Sequence, residues 1–341
     1  MRGPSRATRC ETEGECAGGR FRFARHRCCA WLGLMTLIFV GSGATCVPKR
    51  NIPEFQPKVL FNNTPTSEQL LEVLNRSRSI QSLQSNFVTV NPNKMRNLDA
   101  TLVWQRERRF RVTGGISRMM GNNFDVGSND EWFWMAVRDG MNPQLYVARH
   151  ADFESQSQRR ILPVSPLWIV EALGVIAVDP QQLMGPPVQR PDGLMELNTM
   201  APSPTGTYTR TIVVDPKFGY TRQLLLRDPS GRMVATANQL EHEFYPSIGM
   251  SLPHHVVIQL IPALDPPTEI DITIGKYAVN SLDPNQVTGY ELPHSAGYQI
   301  INLVQYSQGI AQAVTPIPVA PAAAPPNTAY RGVPWEGPLF R

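Results

Sequence analysis

The segment GSNDEWFWMAV, residues 127–137, predicts a strand that is apolar on both faces, and this property limits the folds that the chain can adopt. Successive side chains of a strand point to opposite sides of the sheet. One face would carry Trp132, Trp134 and Ala136, and the other would carry Phe133, Met135 and Val137. A strand of this kind needs an apolar neighbour on each side, and the question is what covers the second one.

Strand-like segments with a period of two lie on either side of this stretch. Before residue 150 they are SLQSNFVTVN, NLDATLVWQRE, RRFRVTGGI, NNFDVGSND, EWFWMAVRD and QLYVARH. After a proline-rich loop with a short strand at GLMELNT come TYTRTIVVDP, YTRQLLLRDPSG, RMVATANQLEHEF, LPHHVVIQLIP and TEIDITIGKYAVN. Hairpin-length links, including the turn at 228–231, predict a mainly antiparallel sheet of about 11 or 12 strands in one domain.

Only two segments have helical character. Thr66 and Gln69 form a capping-box pattern that predicts a helix over about 67–80. In SPLWIVEALGV, Ser165 takes the N-cap position, Pro166 the first helical position and Gly174 the end.

Charge and cysteines are concentrated at the N-terminus. The chain has 341 residues and a net charge of +4, but residues 1–45 hold seven Arg and three Glu, so the remainder is neutral. This balance gives no support for nucleic-acid binding. All five cysteines lie within the first 46 residues, which excludes a disulfide scaffold or a cysteine-based metal site further along.

Residues 1–45 have the pattern of a secretory signal peptide, with a cationic region followed by about a dozen apolar residues. Ser42-Gly43-Ala44 suits an ordinary signal peptidase. The sequence ending in Cys46 resembles a bacterial lipobox, which would make Cys46 a lipidated anchor to a membrane facing the periplasm. Both alternatives are open. Residues 46–65 are interpreted as a tether.

The C-terminal residues divide into an extension, 283–314, and a tail, 315–341, that contains seven prolines. Such a composition is typical of extended, disordered chain. Trp335 and Phe340 could anchor a protein partner there.

Motifs for catalysis or cofactor binding are lacking in the sequence: it has no phosphate-binding loop, nucleophile elbow or zinc-protease helix. Glu241 and Glu243 would point away from His242, and His254 would point away from His255, so neither group converges on a metal. We expect no enzyme, no metal and no cofactor.

The sheet has more apolar surface than two short helices can cover. An apolar cavity under a helical lid would suit acyl chains, since each buried methylene contributes about 0.8 kcal/mol. The candidate lipid-binding residues are Leu102, Trp104, Phe110, Trp132, Trp134, Leu224, Leu226, Val256, Ile258, Ile270 and Ile272. For the opening segment this predicts core packing on one side and a lipid on the other.

Three features resemble the LolA/LolB-like superfamily of envelope lipoprotein carriers. They are the N-terminal helix that leads into a strand, the hairpin around EWFWMAV, and the final strands with LPHHVV and EIDITIGKYAVN. The resemblance covers about 66–282 and implies an unclosed β-barrel with a lid of short helices that binds lipid or lipoprotein acyl chains. Cys46 matches the anchor position of LolB-like members. The alternative function is a structural or interaction protein of the envelope with a filled core and a partner-binding tail.

Overall fold

The computed structural model describes residues 57–116, 123–138, 142–156, 159–283 and 289–309. The signal peptide, Cys46 and the tail 315–341 lie outside these residues. Within them, a single sheet of 15 strands organises the chain. Its strands are β1 (Ser82–Pro92), β2 (Leu98–Gln105), β3 (Arg109–Gly115), β4 (Phe124–Ser128), β5 (Trp132–Val137), β6 (Gln144–Arg149), β7 (Val188–Gln189), β8 (Met195–Ser203), β9 (Gly206–Val214), β10 (Thr221–Arg227), β11 (Met233–Tyr245), β12 (Met250–Leu260), β13 (Thr268–Ile274), β14 (Ala278–Val279) and β15 (Gln299–Asn302).

The strand order is β15-β6-β5-β4-β3-β2-β1-β13-β12-β11-β10-β9-β8-β7, and β14 also pairs with β1. Every pair is antiparallel except β15 with β6. The end strands β15 and β7 do not pair with each other, so the sheet is an unclosed barrel, as predicted. The expected count of about 11 strands is too low, because β7, β14 and β15 have only two to four residues and show no alternation in the sequence.

The described residues also form four short α-helices: α1 (Ser67–Asn75), α2 (His150–Glu154), α3 (Pro166–Ala172) and α4 (Leu303–Ser307). The capping box of α1 is present, with Thr66 N donating to Gln69 Oε1 at 2.9 Å and Gln69 N donating to Thr66 Oγ1 at 3.3 Å. A 3-10 turn at Arg76–Ser79 completes the predicted length. None of the helices in the described part of the chain is long and apolar enough to cross a bilayer.

Ser165 occupies the N-cap position of α3, but its side chain caps no backbone amide, contrary to the role expected from the sequence. Gly174 ends the helix with φ +96°, where a side chain would also meet the ring of Pro253. Helices α2 and α4 were not predicted from the sequence, because five residues are too few to establish a helical period.

The main hydrophobic core lies between α1, α3, residues 173–178 and one face of the sheet, which we call the inner face. The opposite, outer face of β5 and β6 carries a second cluster, built with residues of the C-terminal extension. Residues in the second half of the expected tether also contact the domain, since the amides of Leu60 and Phe61 donate to Lys217 O at 3.0 and 3.1 Å.

Candidate functional site

The inner face is apolar across most of the sheet. Leu102, Trp104, Phe110, Leu224, Leu226, Val256 and Ile258 are buried there, and Ile270 and Ile272 are half-buried against the same core. Nine of the eleven candidate lipid-binding residues therefore share one surface.

Trp132 and Trp134 do not belong to this surface, which corrects their grouping with the other candidates. Phe110 of β3 lies opposite Ser128 of β4, and Ser128 lies opposite Phe133 of β5. Cross-strand partners point to the same side of a sheet, so Phe133 faces inward with Phe110. The two tryptophans face outward, and alternation alone could not have shown this because both faces of β5 are apolar.

The outer face of β5 is covered by the chain itself. Trp134 is 1% exposed and packs in a cluster with Leu292 and Tyr298. Its indole Nε1 donates to Asp125 Oδ1 at 3.1 Å, and Asp125 is ion-paired with Arg111 at 2.6 Å. On the inner side, Phe133 meets Phe153 edge-on, with 4.8 Å between ring centroids. Protein therefore covers both sides of β5, and the expected lipid is not needed at this strand.

Helix α3 is held to the inner face by a buried ion pair. Arg210 of β9 is 6% exposed, and its Nη1 donates to Glu171 Oε1 at 2.6 Å. The same guanidinium donates to Thr199 Oγ1 and Ala177 O, both at 3.1 Å. Burial raises the pKa of the Glu171 carboxyl, and the charge and hydrogen bond of Arg210 oppose that rise. Arg210 therefore favours the ionised form of Glu171, which burial disfavours.

Side-chain amides and a hydroxyl hold the rest of this cover. Gln239 Nε2 donates to Ala172 O at 2.9 Å at the end of α3. Asn75 exchanges two hydrogen bonds of 2.9 Å with the backbone of Val178, and Ser77 Oγ donates to Ile176 O at 2.6 Å. We call α3 together with residues 173–178 the lid. Its polar contacts lie at the C-terminal end of α3 and at residues 176–178, and the rest of it is held by apolar packing.

A recess of about 240 Å³ opens at the edge of α3. Its walls are Glu154, Arg159, Ser165, Leu167, Trp168, Glu171, Ala201, Pro202, Ser203, Pro204, Tyr208, Arg210 and Leu226. Leu226 is the one candidate lipid-binding residue among them. Side chains of α1 and the lid fill most of the inner face beyond it, so in the described ranges protein occupies much of the space where the sequence predicted an apolar cavity.

The paired histidines of β12 make hydrogen bonds to other residues of the protein. His254 Nδ1 donates to Ile274 O at 2.7 Å, and Tyr245 Oη lies 2.9 Å from the other ring nitrogen. His255 lies on the other side of β12, with Nε2 3.0 Å from Asp271 Oδ1. The described residues contain no cluster of three or more groups suited to a metal ion.

His242 is a buried neutral histidine. Its ring stacks on that of Tyr220, with 3.8 Å between the ring centroids, and its Nε2 donates to Thr221 O at 2.9 Å. Burial lowers the pKa of His242 from 6.5 to about 3, although the hydrogen bond to Thr221 opposes this shift.

His242 should make the protein less stable in mild acid. The unfolded chain takes up a proton near pH 6.5, whereas folded His242 stays neutral down to about pH 3. Between pH 7.5 and 5 this difference removes about 2 kcal/mol from the free energy of unfolding. Urea unfolding of the wild type and His242→Gln at both pH values measures it, since the glutamine amide can still donate to Thr221 O. Equal losses in the two proteins would contradict the assignment.

No protein-family model and no curated protein matches the chain. Among solved structures it is similar to a putative outer membrane lipoprotein-sorting protein domain from Vibrio parahaemolyticus, with 10% identity over 64% of this chain and 96% of that one and a TM-score of 0.41. A LolA superfamily protein from Nitrosomonas europaea has 15% identity, the same coverages and a TM-score of 0.38. A DUF1329 family protein from Desulfovibrio piger has 11% identity over 63% and 92% of the two chains and a TM-score of 0.41. At identities of 10–15% these likenesses concern the fold and do not show which family the chain belongs to.

Proposed function

We propose that this protein is a non-enzymatic component of the bacterial cell envelope that binds lipid or lipoprotein acyl chains on its inner face, for transport or sorting. The observation that carries the proposal is the cover of that face. An apolar surface that extends from Phe110 to Leu197 across the sheet is covered by α1, the seven-residue helix α3 and residues 173–178 rather than by a second sheet. The names of two similar structures, a lipoprotein-sorting domain and a LolA superfamily protein, agree with this function.

Entry of an acyl chain requires the lid to move. The recess beside α3, at about 240 Å³, is smaller than the roughly 300–1,000 Å³ typical of small-molecule sites. An acyl chain would replace the apolar contacts of the lid with its own, so the displacement costs chiefly the Arg210–Glu171 pair and the hydrogen bonds that Gln239, Asn75 and Ser77 make to the lid. The described state is accordingly the closed form of the carrier.

Binding of an uncharged apolar dye, N-phenyl-1-naphthylamine, tests the proposal. We expect saturable binding that dodecanol reverses, because both would occupy the inner face. Mass spectrometry of an organic-solvent extract of the purified protein should show copurified lipid. Absence of both dye binding and bound lipid would contradict the proposal.

The filled inner face also favours a second function, an envelope interaction protein whose tail binds a partner. Deletion of residues 315–341 separates the two. Under the carrier proposal the truncated protein binds the dye as tightly as the full chain, whereas under the alternative neither protein binds the dye and the truncated one loses its partner.

We further propose that Cys46 is lipidated and anchors the protein to a membrane facing the periplasm. Radiolabelled palmitate should label the wild type and not Cys46→Ser when both are expressed in a bacterium with a lipoprotein-processing pathway. Cleavage after Ala44 by an ordinary signal peptidase would instead leave both proteins unlabelled.

A further inference from the structure

The recess at the edge of α3 contains a buried arginine without an anionic partner in the described part of the chain. Arg159 is 8% exposed and lines the recess. Among the described residues, its side chain donates one hydrogen bond, from Nη2 to the main-chain oxygen of Glu154 at 3.3 Å, and its Nε is buried without a partner. An arginine offers five N–H donors, so most of its capacity is unused.

Two neighbouring arginines, in contrast, each have an acidic partner. Arg160 forms a two-pronged pair with Asp265, at 3.0 and 3.3 Å. Arg210, which also lines the recess, is ion-paired with Glu171 at 2.6 Å. A buried charge without an ion pair is costly, and burial does lower the pKa of Arg159, although the nearby charge of Glu154 opposes the shift.

The Arg159 guanidinium is held in place by aromatic rings rather than by an acid. It lies 4.6 Å from the ring centroid of Phe153 and 5.8 Å from that of Tyr208. Cation–π contacts of this kind fix the position of the group without using its N–H donors.

A second unpartnered donor lines the same recess. Trp168 of α3 is 4% exposed, and its Nε1 is buried without a hydrogen-bond partner. An indole N–H and a guanidinium N–H can only donate. Of the residues that line the recess, these two alone have buried polar atoms without a hydrogen-bond partner. A ligand that satisfies both of them must present hydrogen-bond acceptors. The carboxylates of the recess do not supply it, because Glu171 is engaged by Arg210 and Glu154 contacts Arg159 through its backbone.

Apolar side chains complete the recess. Leu167, Pro202, Pro204 and Leu226 form its walls beside the two donors, and Leu226 continues into the apolar inner face. A ligand that matches this arrangement has an oxyanion at one end and a hydrocarbon at the other.

We propose that this recess binds the oxyanion end of a single-chain amphiphile, a carboxylate or a phosphate monoester, through Arg159 and Trp168, with the chain directed toward Leu226. The inference rests on the proposed lipid binding and names the class of lipid. Because Trp168 belongs to the lid, a bound head group would also couple ligand binding to the position of α3.

The proposal is tested by measuring how well dodecanoate, dodecyl phosphate and dodecanol displace the uncharged dye. The three compounds have hydrocarbon chains of the same length. We expect at least one of the two anions to bind about tenfold more tightly than the alcohol, because a charge-assisted hydrogen bond is about twice as strong as a neutral one. The better of the two identifies the head group. Acetate and inorganic phosphate should not compete, which distinguishes an amphiphile from a free anion.

Variants assign the preference to the recess. Arg159→Gln should reduce the preference for the anions over the alcohol to near unity without weakening the binding of dodecanol. Trp168→Phe should reduce this preference in part. Arg160→Gln is the matched control and should leave it unchanged. Arg159→Lys, which keeps the charge, should retain part of the preference and serves if Arg159→Gln does not fold.

Two results would overturn the inference. The first is that the wild type binds the anions and the alcohol with equal affinity. The second is that Arg159→Gln loses the same amount of affinity for all three ligands. Either result, together with intact dye binding, leaves the carrier function standing. Loss of dye binding in the wild type would contradict the carrier function itself.

Discussion

Replacing Arg210 with methionine should lower the free energy of unfolding by about 3 kcal/mol. The substitution leaves the Glu171 carboxylate against the inner face without its partner, and removal of one member of a buried ion pair typically costs 3–5 kcal/mol. The lower end applies because the Glu171 side chain is 27% exposed, so water can reach it. Urea unfolding at pH 7.5 measures the change.

The double variant Glu171→Met/Arg210→Met is the control for this prediction. With both charges replaced by apolar side chains of similar length, stability should return to within about 1 kcal/mol of the wild type. The same variant lacks the ion pair that fastens α3, so we expect it to bind the uncharged dye more tightly than the wild type. A double variant as unstable as Arg210→Met would show that the loss comes from packing and not from the unpaired charge.

The mainly antiparallel sheet could be predicted because its signals are local, whereas its unclosed form was implied only by the family resemblance. Alternation at residues such as Ile270 and Ile272, and the Asp228 turn, depend only on neighbours in the sequence. In the structure, Asp228 Oδ1 accepts from the amides of Ser230 and Arg232, both at 3.0 Å, as a turn of this type requires. The capping box at Thr66 is local in the same way.

The faces of β5 could not be predicted, because they depend on distant partners. Trp134 is buried by Leu292 and Tyr298, which lie about 160 positions away, and the parallel pairing of β15 with β6 brings them there. Parallel pairing across such a separation has no signature in the sequence of either strand. Consequently, the C-terminal extension covers part of the apolar surface that we expected a lipid to cover.

The polar residues of the lid were missed although a signal for one of them exists. Arg210 lies in phase with Tyr208 and Ile212 along β9, so alternation places a charge on the apolar face. Such a charge is expected to have a buried partner. Its partner Glu171 lies in another element, and Arg159 follows a segment without regular periodicity, so the recess itself could be found only from coordinates.

Quenching of tryptophan fluorescence by brominated acyl chains tests the central claim, that hydrocarbon occupies the inner face, most directly. Trp104 and Trp134 are 3% and 1% exposed, and they lie on opposite faces of the sheet. Two variants are needed, each retaining one of these tryptophans and carrying phenylalanine at the other five positions. A cooperative urea transition in each confirms that it is folded.

With phospholipid whose acyl chains are brominated, we expect the Trp104 variant to be strongly quenched and the Trp134 variant to be unaffected. Bromine quenches only at contact, so the difference places the acyl chain on one side of the sheet. Unquenched Trp104 at saturating lipid, or equal quenching of the two variants, would contradict the claim.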